Sequence, residues 1–98
     1  MAEQVIVMAP TGQAVLRPLI EAAMRTQLRV IETGLRRTER RLRGFERRYN
    51  MSSEEFYQCL TQDQIEETLE TIEWAGEYQT WLRLHRQYET LLGAHVAG

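Results

Sequence analysis

Met24, Leu28, Ile31, Leu35, Thr38, Leu42, Phe45 and Tyr49 recur at alternating steps of four and three. That is the a/d seam of a coiled coil, with Thr38 its polar member. The spacing predicts one long helix over residues 13–49. A break is expected near Pro18, because proline is comfortable in a first helical turn and costly further in. The stretch from Pro18 to Tyr49 would make a rod of roughly 46 Å. A rod of that length in so small a chain needs a second long helix beside it.

Asn50 tolerates the left-handed conformation that ends a helix. Ser52 with Glu55 three residues on forms a capping box, and Met51 is placed to pack back on Phe56. A short corner helix over 52–60 follows, then a turn and cap signal at Thr61-Gln62-Asp63. The last helix is predicted over 64–92. Ile65, Leu69 and Ile72 open its apolar stripe, and Trp74, Tyr78, Trp81, His85, Tyr88 and Leu92 continue it, shifted around the helix. Gly93 reads as its C-cap, leaving 93–98 as a frayed tail. Before the first helix, Val5, Ile6, Val7 and Met8 form a β-branched run closed by Pro10. Residues 1–12 read as an extended arm, either a strand paired with another chain or a partly ordered terminus. The expected fold is therefore a single all-α domain: a long antiparallel, coiled-coil-like helical hairpin with a short corner helix and a short N-terminal arm.

Composition narrows the functional classes. At 98 residues the chain can bury only a thin core, which favours a dimer or another partner. The start has no basic n-region and no run approaches about 18 apolar residues, so neither a signal peptide nor a membrane span is expected. Cys59 is the one cysteine, which fits a reducing cytoplasm.

Charge is unevenly spread. Residues 1–50 carry ten Arg and five Glu, and residues 51–98 carry two Arg and nine acids. Every basic residue is arginine. With Leu35, Leu42 and Tyr49 at heptad position a, Arg29, Arg36 and Arg43 fall at b and Glu32, Glu39 and Glu46 at e. These six are expected to form a charge ladder within the helix. Arg37, Arg40, Arg41, Arg47 and Arg48 fall elsewhere and are the candidates for a charged partner. Two readings of these five compete: contact with phosphates, or contact with acids of this chain or a second subunit. An antiparallel hairpin would bring Glu66, Glu70, Glu73 and Glu77 alongside Arg41 and Arg48.

No catalytic set is evident. His85 lies on the apolar stripe, Cys59 has no local activator, and one cysteine with two distant histidines makes no metal-ligand pattern. No cofactor is implied. Two Trp and two Tyr between Trp74 and Tyr88 are the denser signal, and Trp74, Tyr78, Trp81 and Tyr88 are candidates for either core or a partner interface.

The corner Phe45, Glu46, Tyr49, Asn50, Met51, Ser52, Glu54, Glu55, Phe56 and the later Glu73, Trp74, Gly76, Glu77, Tyr78 resemble a pattern in a group of small helical bacterial and archaeal proteins. These carry an FExxYGMSxEEF corner, with Gly where this chain has Asn50, and an EWxGEY helix. The resemblance covers about residues 20–92 and rests on caps and packing positions. Such proteins look like the antitoxin-like partners of TumE-type toxins. The resemblance implies no enzyme activity. The function expected is a cytoplasmic, non-enzymatic protein-interaction module, antitoxin-like, acting as a homo-oligomer or on a protein partner. The alternatives are an arginine-rich nucleic-acid-binding module and a purely structural coiled-coil homo-oligomer.

Overall fold

The computed structural model describes residues 12–97. Three helices make up these residues: α1 (Gly12–Tyr49), α2 (Ser53–Thr61) and α3 (Leu69–Ala97). The all-α antiparallel hairpin expected from the seam is the observed fold, with α1 packed along α3 and α2 wedged at their closed end. Residues 1–11 of the predicted N-terminal arm lie outside the described residues, and Gly12, assigned to the arm, begins α1 instead.

The seam packs as its spacing requires through Leu42, while its last member, Tyr49, is exposed. Leu28, Ile31, Leu35, Thr38 and Leu42 are all buried against α3. Thr38 is tolerated there because its hydroxyl donates to the Gly34 carbonyl at 2.8 Å, inside its own helix. Gly34 serves a second purpose, since a Cβ at that position would lie 3.1 Å from a Leu84 methyl. The glycine lets α3 approach closely. The break expected near Pro18 is absent, and α1 runs through it. So near the helix start, proline forfeits one backbone bond, to the Ala14 carbonyl, and the remaining turns bridge the gap.

Asn50 ends α1 in the left-handed region, at φ 55°. The Met51 N–H then reaches back to the Glu46 carbonyl at 3.2 Å, the long bond of a Schellman cap. Ser52 caps α2, its hydroxyl accepting the Glu55 N–H at 3.0 Å. Met51 packs on the cluster that contains Phe56.

The predicted start of the last helix is displaced. Asp63 does not cap it. It takes φ 59° and closes α2 in a second Schellman cap, with Gln64 N–H to the Cys59 carbonyl at 2.9 Å. The cap of α3 falls to Thr68, which shares reciprocal bonds with Thr71: Thr71 N–H to Thr68 Oγ1 at 3.1 Å, and Thr68 N–H to Thr71 Oγ1 at 2.7 Å. This is a capping box with Thr in the place of Glu. Leu69 and Ile72, expected on the inner stripe, are exposed; Thr71 is buried in their place, and Trp74, expected on the stripe, is buried. At the other end α3 passes through Gly93 to Ala97, so Gly93 is a helical residue and not a C-cap.

Candidate protein-interaction surfaces

The closed end of the hairpin is built around one side chain. Trp74 is 0 % exposed. It stacks on Phe56 with ring centroids 3.7 Å apart and planes 2° apart, and on Phe45 at 5.5 Å and 9°. A buried indole N–H must find an acceptor. Here it donates to Ser53 Oγ at 2.9 Å, and Ser53 Oγ–H donates onward to Glu46 Oε2 at 2.7 Å. The same oxygen accepts the Ser53 N–H at 2.9 Å, filling one of the free donors at the start of α2. Burial pushes the Glu46 carboxyl up. The hydrogen bonds from the Ser53 hydroxyl and N–H, with the charge and hydrogen bond of Arg43, outweigh it and hold Glu46 below its ordinary 4.5.

This relay is one rung of three. Trp81 Nε1 donates to Glu39 Oε2 at 3.0 Å, and Tyr88 OH donates to Glu32 Oε2 at 3.1 Å. Each step of seven down α1, from Glu46 to Glu39 to Glu32, is matched by seven up α3, from Trp74 to Trp81 to Tyr88. The Glu32 carboxylate raises the Tyr88 phenol by accepting its hydrogen bond, and burial adds to that. A second ladder runs along the opposite flank at the same pitch. Arg41 pairs with Glu77 at 2.7 Å, and Arg48 with Glu70, which also accepts from Tyr49 OH. The acidic edge of the return helix does lie alongside Arg41 and Arg48. The intrahelical charge ladder is only partly present. Arg43 pairs with Glu46 at 3.0 Å, while Glu32 and Glu39 turn inward to the aromatic side chains of α3. The reason is energetic: an exposed Arg–Glu pair on one helix is worth a few tenths of a kcal/mol, whereas a buried indole N–H without an acceptor costs more.

The residues singled out from sequence therefore fall into distinct places. Trp74 is core and offers no surface. Tyr78, Trp81 and Tyr88 are half-buried along the α1–α3 seam. Tyr78 packs on Tyr57 and Trp81, and burial, with the Glu54 charge second, raises its phenol. Trp81 also stacks on His85 at 4.8 Å. Arg41 and Arg48 are held by α3, whereas Arg37, Arg40 and Arg47 are exposed on α1. Arg40, Arg41 and Arg48 border an open groove of about 750 Å³ over Gly44 and Gly76.

A different surface stands at the open end. Extending the pairing nine residues beyond Tyr88 and nine back from Glu32 sets Ala97 opposite Ala23. The first three turns of α1 thus project past α3. There Val15 (56 %), Leu16 (52 %), Leu19 (60 %) and Ile20 (50 %) stand exposed, joined by Leu92 and Val96 from the end of α3. Leu16, Ile20, Met24, Ala94 and His95 line a groove of about 380 Å³. The His95 Nδ1 atom is buried there without a hydrogen-bond partner. Sequence reasoning missed these residues because it began the seam at Met24 and broke the helix before Pro18. The signal was present, since Val15, Leu16, Leu19 and Ile20 share a face at steps of one, three and one.

Among the described residues no cluster of three or more His, Cys, Asp or Glu could hold a metal ion, and no helix is long and apolar enough to cross a membrane. These features define a helical hairpin with a locked corner and, among the described residues, an exposed apolar end. No protein-family model matches the chain, and no curated protein or solved structure matches it.

Proposed function

We propose that this protein is a non-enzymatic interaction module that docks a partner protein on the open end of its hairpin. The observation that carries this reading is the exposure of Val15, Leu16, Leu19 and Ile20 at the open end of the hairpin, where among the described residues only the last turn of α3 borders them. Four large aliphatic side chains, each half exposed or more, on one contiguous face exceed the scattered apolar surface usual for a monomer. A helical overhang of about three turns is also marginal alone and gains most of its stability when its apolar face is covered. The orphaned His95 Nδ1 beside it is a further sign of an incomplete end.

In its finer form the module is the antitoxin-like member of a toxin–antitoxin pair. The corner and EWxGEY residues support that form by resemblance. The corner is built to hold the hairpin, so the partner-specific residues belong to the open end and not to the shared motif. The test is co-expression with the product of the neighbouring gene. A stable complex and relief of growth arrest are expected. Leu16→Glu with Leu19→Glu should weaken the complex at least a hundredfold, since each Leu contributes about 2 kcal/mol when covered. Far-UV circular dichroism should stay unchanged. Persistent toxicity with no complex removes the antitoxin form. Unaltered partner binding and unaltered self-association of the double variant remove the docking surface.

A further inference from the structure

The inward turn of Glu32 and Glu39 has a consequence on the far side of α1. Arg29 and Arg36 lose the acids that the heptad spacing offered them. At 100° per residue Arg29, Arg36, Arg40 and Arg47 fall within about 40° of one another, directly opposite the Leu28–Leu42 seam. They make a straight row about 27 Å long. All four are exposed, and Arg37 stands beside them. None of the five has an acid partner among the described residues. Arg29 only leans on the Thr26 hydroxyl at 3.5 Å.

We propose that this outer ridge of α1 binds the phosphate backbone of a nucleic-acid duplex. The ridge is independent of the open apolar end and makes a different kind of surface. Protein interfaces are depleted of charge at their centres and need a desolvated apolar anchor. Between the ridge arginines the same face offers Thr26, Thr33 and Gly44, and the exposed Val30 at its edge is a single small aliphatic side chain, too little for such an anchor. A phosphate backbone needs none, because displaced counterions supply the affinity. Membrane insertion is a poor fit, because from Leu28 onward the apolar face of α1 is covered by α3. The acids of α3 do not cancel the ridge. Glu70 and Glu77 are neutralised by Arg48 and Arg41. Glu73 lines the groove that Arg40 borders but forms no ion pair with it, and salt screens such an exposed charge over about 8 Å. Arginine also grips phosphate with a planar fork, which a lysine row would lack. The surface carries no group aimed at base edges, so the binding is to backbone and indifferent to sequence.

The experiment titrates the full chain into a fluorescent DNA duplex of about 20 base pairs of mixed sequence, about two helical turns, at several salt concentrations. Binding is expected at about 50 mM salt. The log of the association constant should fall against log salt with a slope near −3.6, for four phosphates, which is roughly a hundredfold loss by about 200 mM. Changing Arg29, Arg36, Arg40 and Arg47 together to Gln should abolish that dependence. If the fourfold variant does not fold by circular dichroism, the single variants carry the test, each flattening the slope by about 0.9. Arg83→Gln with Arg86→Gln removes two exposed charges from α3 and should leave the slope unchanged. Three results overturn the proposal: no binding at low salt, equal weakening by the Arg83 and Arg86 pair, or competition by polyglutamate as strong per charge as by unlabelled duplex. The last would make the ridge a dock for an acidic protein.

Discussion

Glu46 ties the three helices together at the closed end. It stands on α1, accepts from the first N–H of α2 and, through Ser53 Oγ, orients the indole of α3. Half of this was readable in advance. Its heptad position and its partner Arg43 follow from spacing alone, and so does the Ser52 cap. The relay to Trp74 was hidden because it needs the angle at which α2 turns back, which no period in the sequence encodes. A pH dependence belongs to this residue. Its folded pKa lies below the ordinary 4.5, so the unfolded chain binds the proton more readily. The stability it contributes is therefore complete above pH 4.5 and is lost as the pH falls through the lowered folded value. Glu46→Gln should flatten the acid limb of a plot of melting temperature against pH, leaving the neutral region with a constant offset. Parallel curves for the two proteins would show that Glu46 does not titrate with folding.

Helix ends divided the readable from the unreadable at the next scale. Only three residues separate the end of α1 from the start of α2, so Asn50 and Ser52 had one solution. Between α2 and α3 lie several polar residues able to cap, and the structure uses Asp63 to stop one helix and Thr68 to start the other. That choice depends on where Trp74 must land to meet Phe56, which is a tertiary demand. The helical glycines carry the prediction here. A Cβ at Gly44 or Gly76 would meet nothing within 4 Å. Replacing either by Ala should raise stability by up to about 1 kcal/mol, a gain of several degrees in melting temperature. Gly34→Ala gains the same propensity but must displace Leu84, so it should give little or nothing. Calorimetry of the three variants checks the ranking, and a lower melting temperature for Gly44→Ala or Gly76→Ala would contradict it.

The whole molecule is a rod, with extents of 61 × 32 × 22 Å. Its length was implied by the seam, and its antiparallel closure by the acidic edge opposite Arg41 and Arg48. Its asymmetry was not. Placing a break at Pro18 concealed that α1 outruns α3, and assigning Glu32 and Glu39 to arginines concealed the outer basic row. Both errors came from reading proline and charge by local spacing, when the packing against α3 decides which side chains remain outside. Local stability should follow the same division. In the free chain, backbone amides of residues 14–22 should exchange with solvent much faster than those of residues 28–49, which are covered by α3. Covering the overhang with a partner should slow the first group and leave the second unchanged. Equal protection along all of α1 would mean that the overhang is not a separate, weakly held unit.

The matched rungs between α1 and α3 also set how such a chain can change in size. Glutamate on one arm and aromatic on the other return every seven residues and run in opposite directions. A heptad gained or lost in a single arm would face each remaining carboxylate with the wrong neighbour. The same change made in both arms would leave every surviving rung intact. The hairpin behaves as a zip with a fixed tooth spacing, anchored at the Asn50 corner. Between the corner and its last rung the hairpin can lengthen or shorten only in whole teeth, about 10 Å at a time.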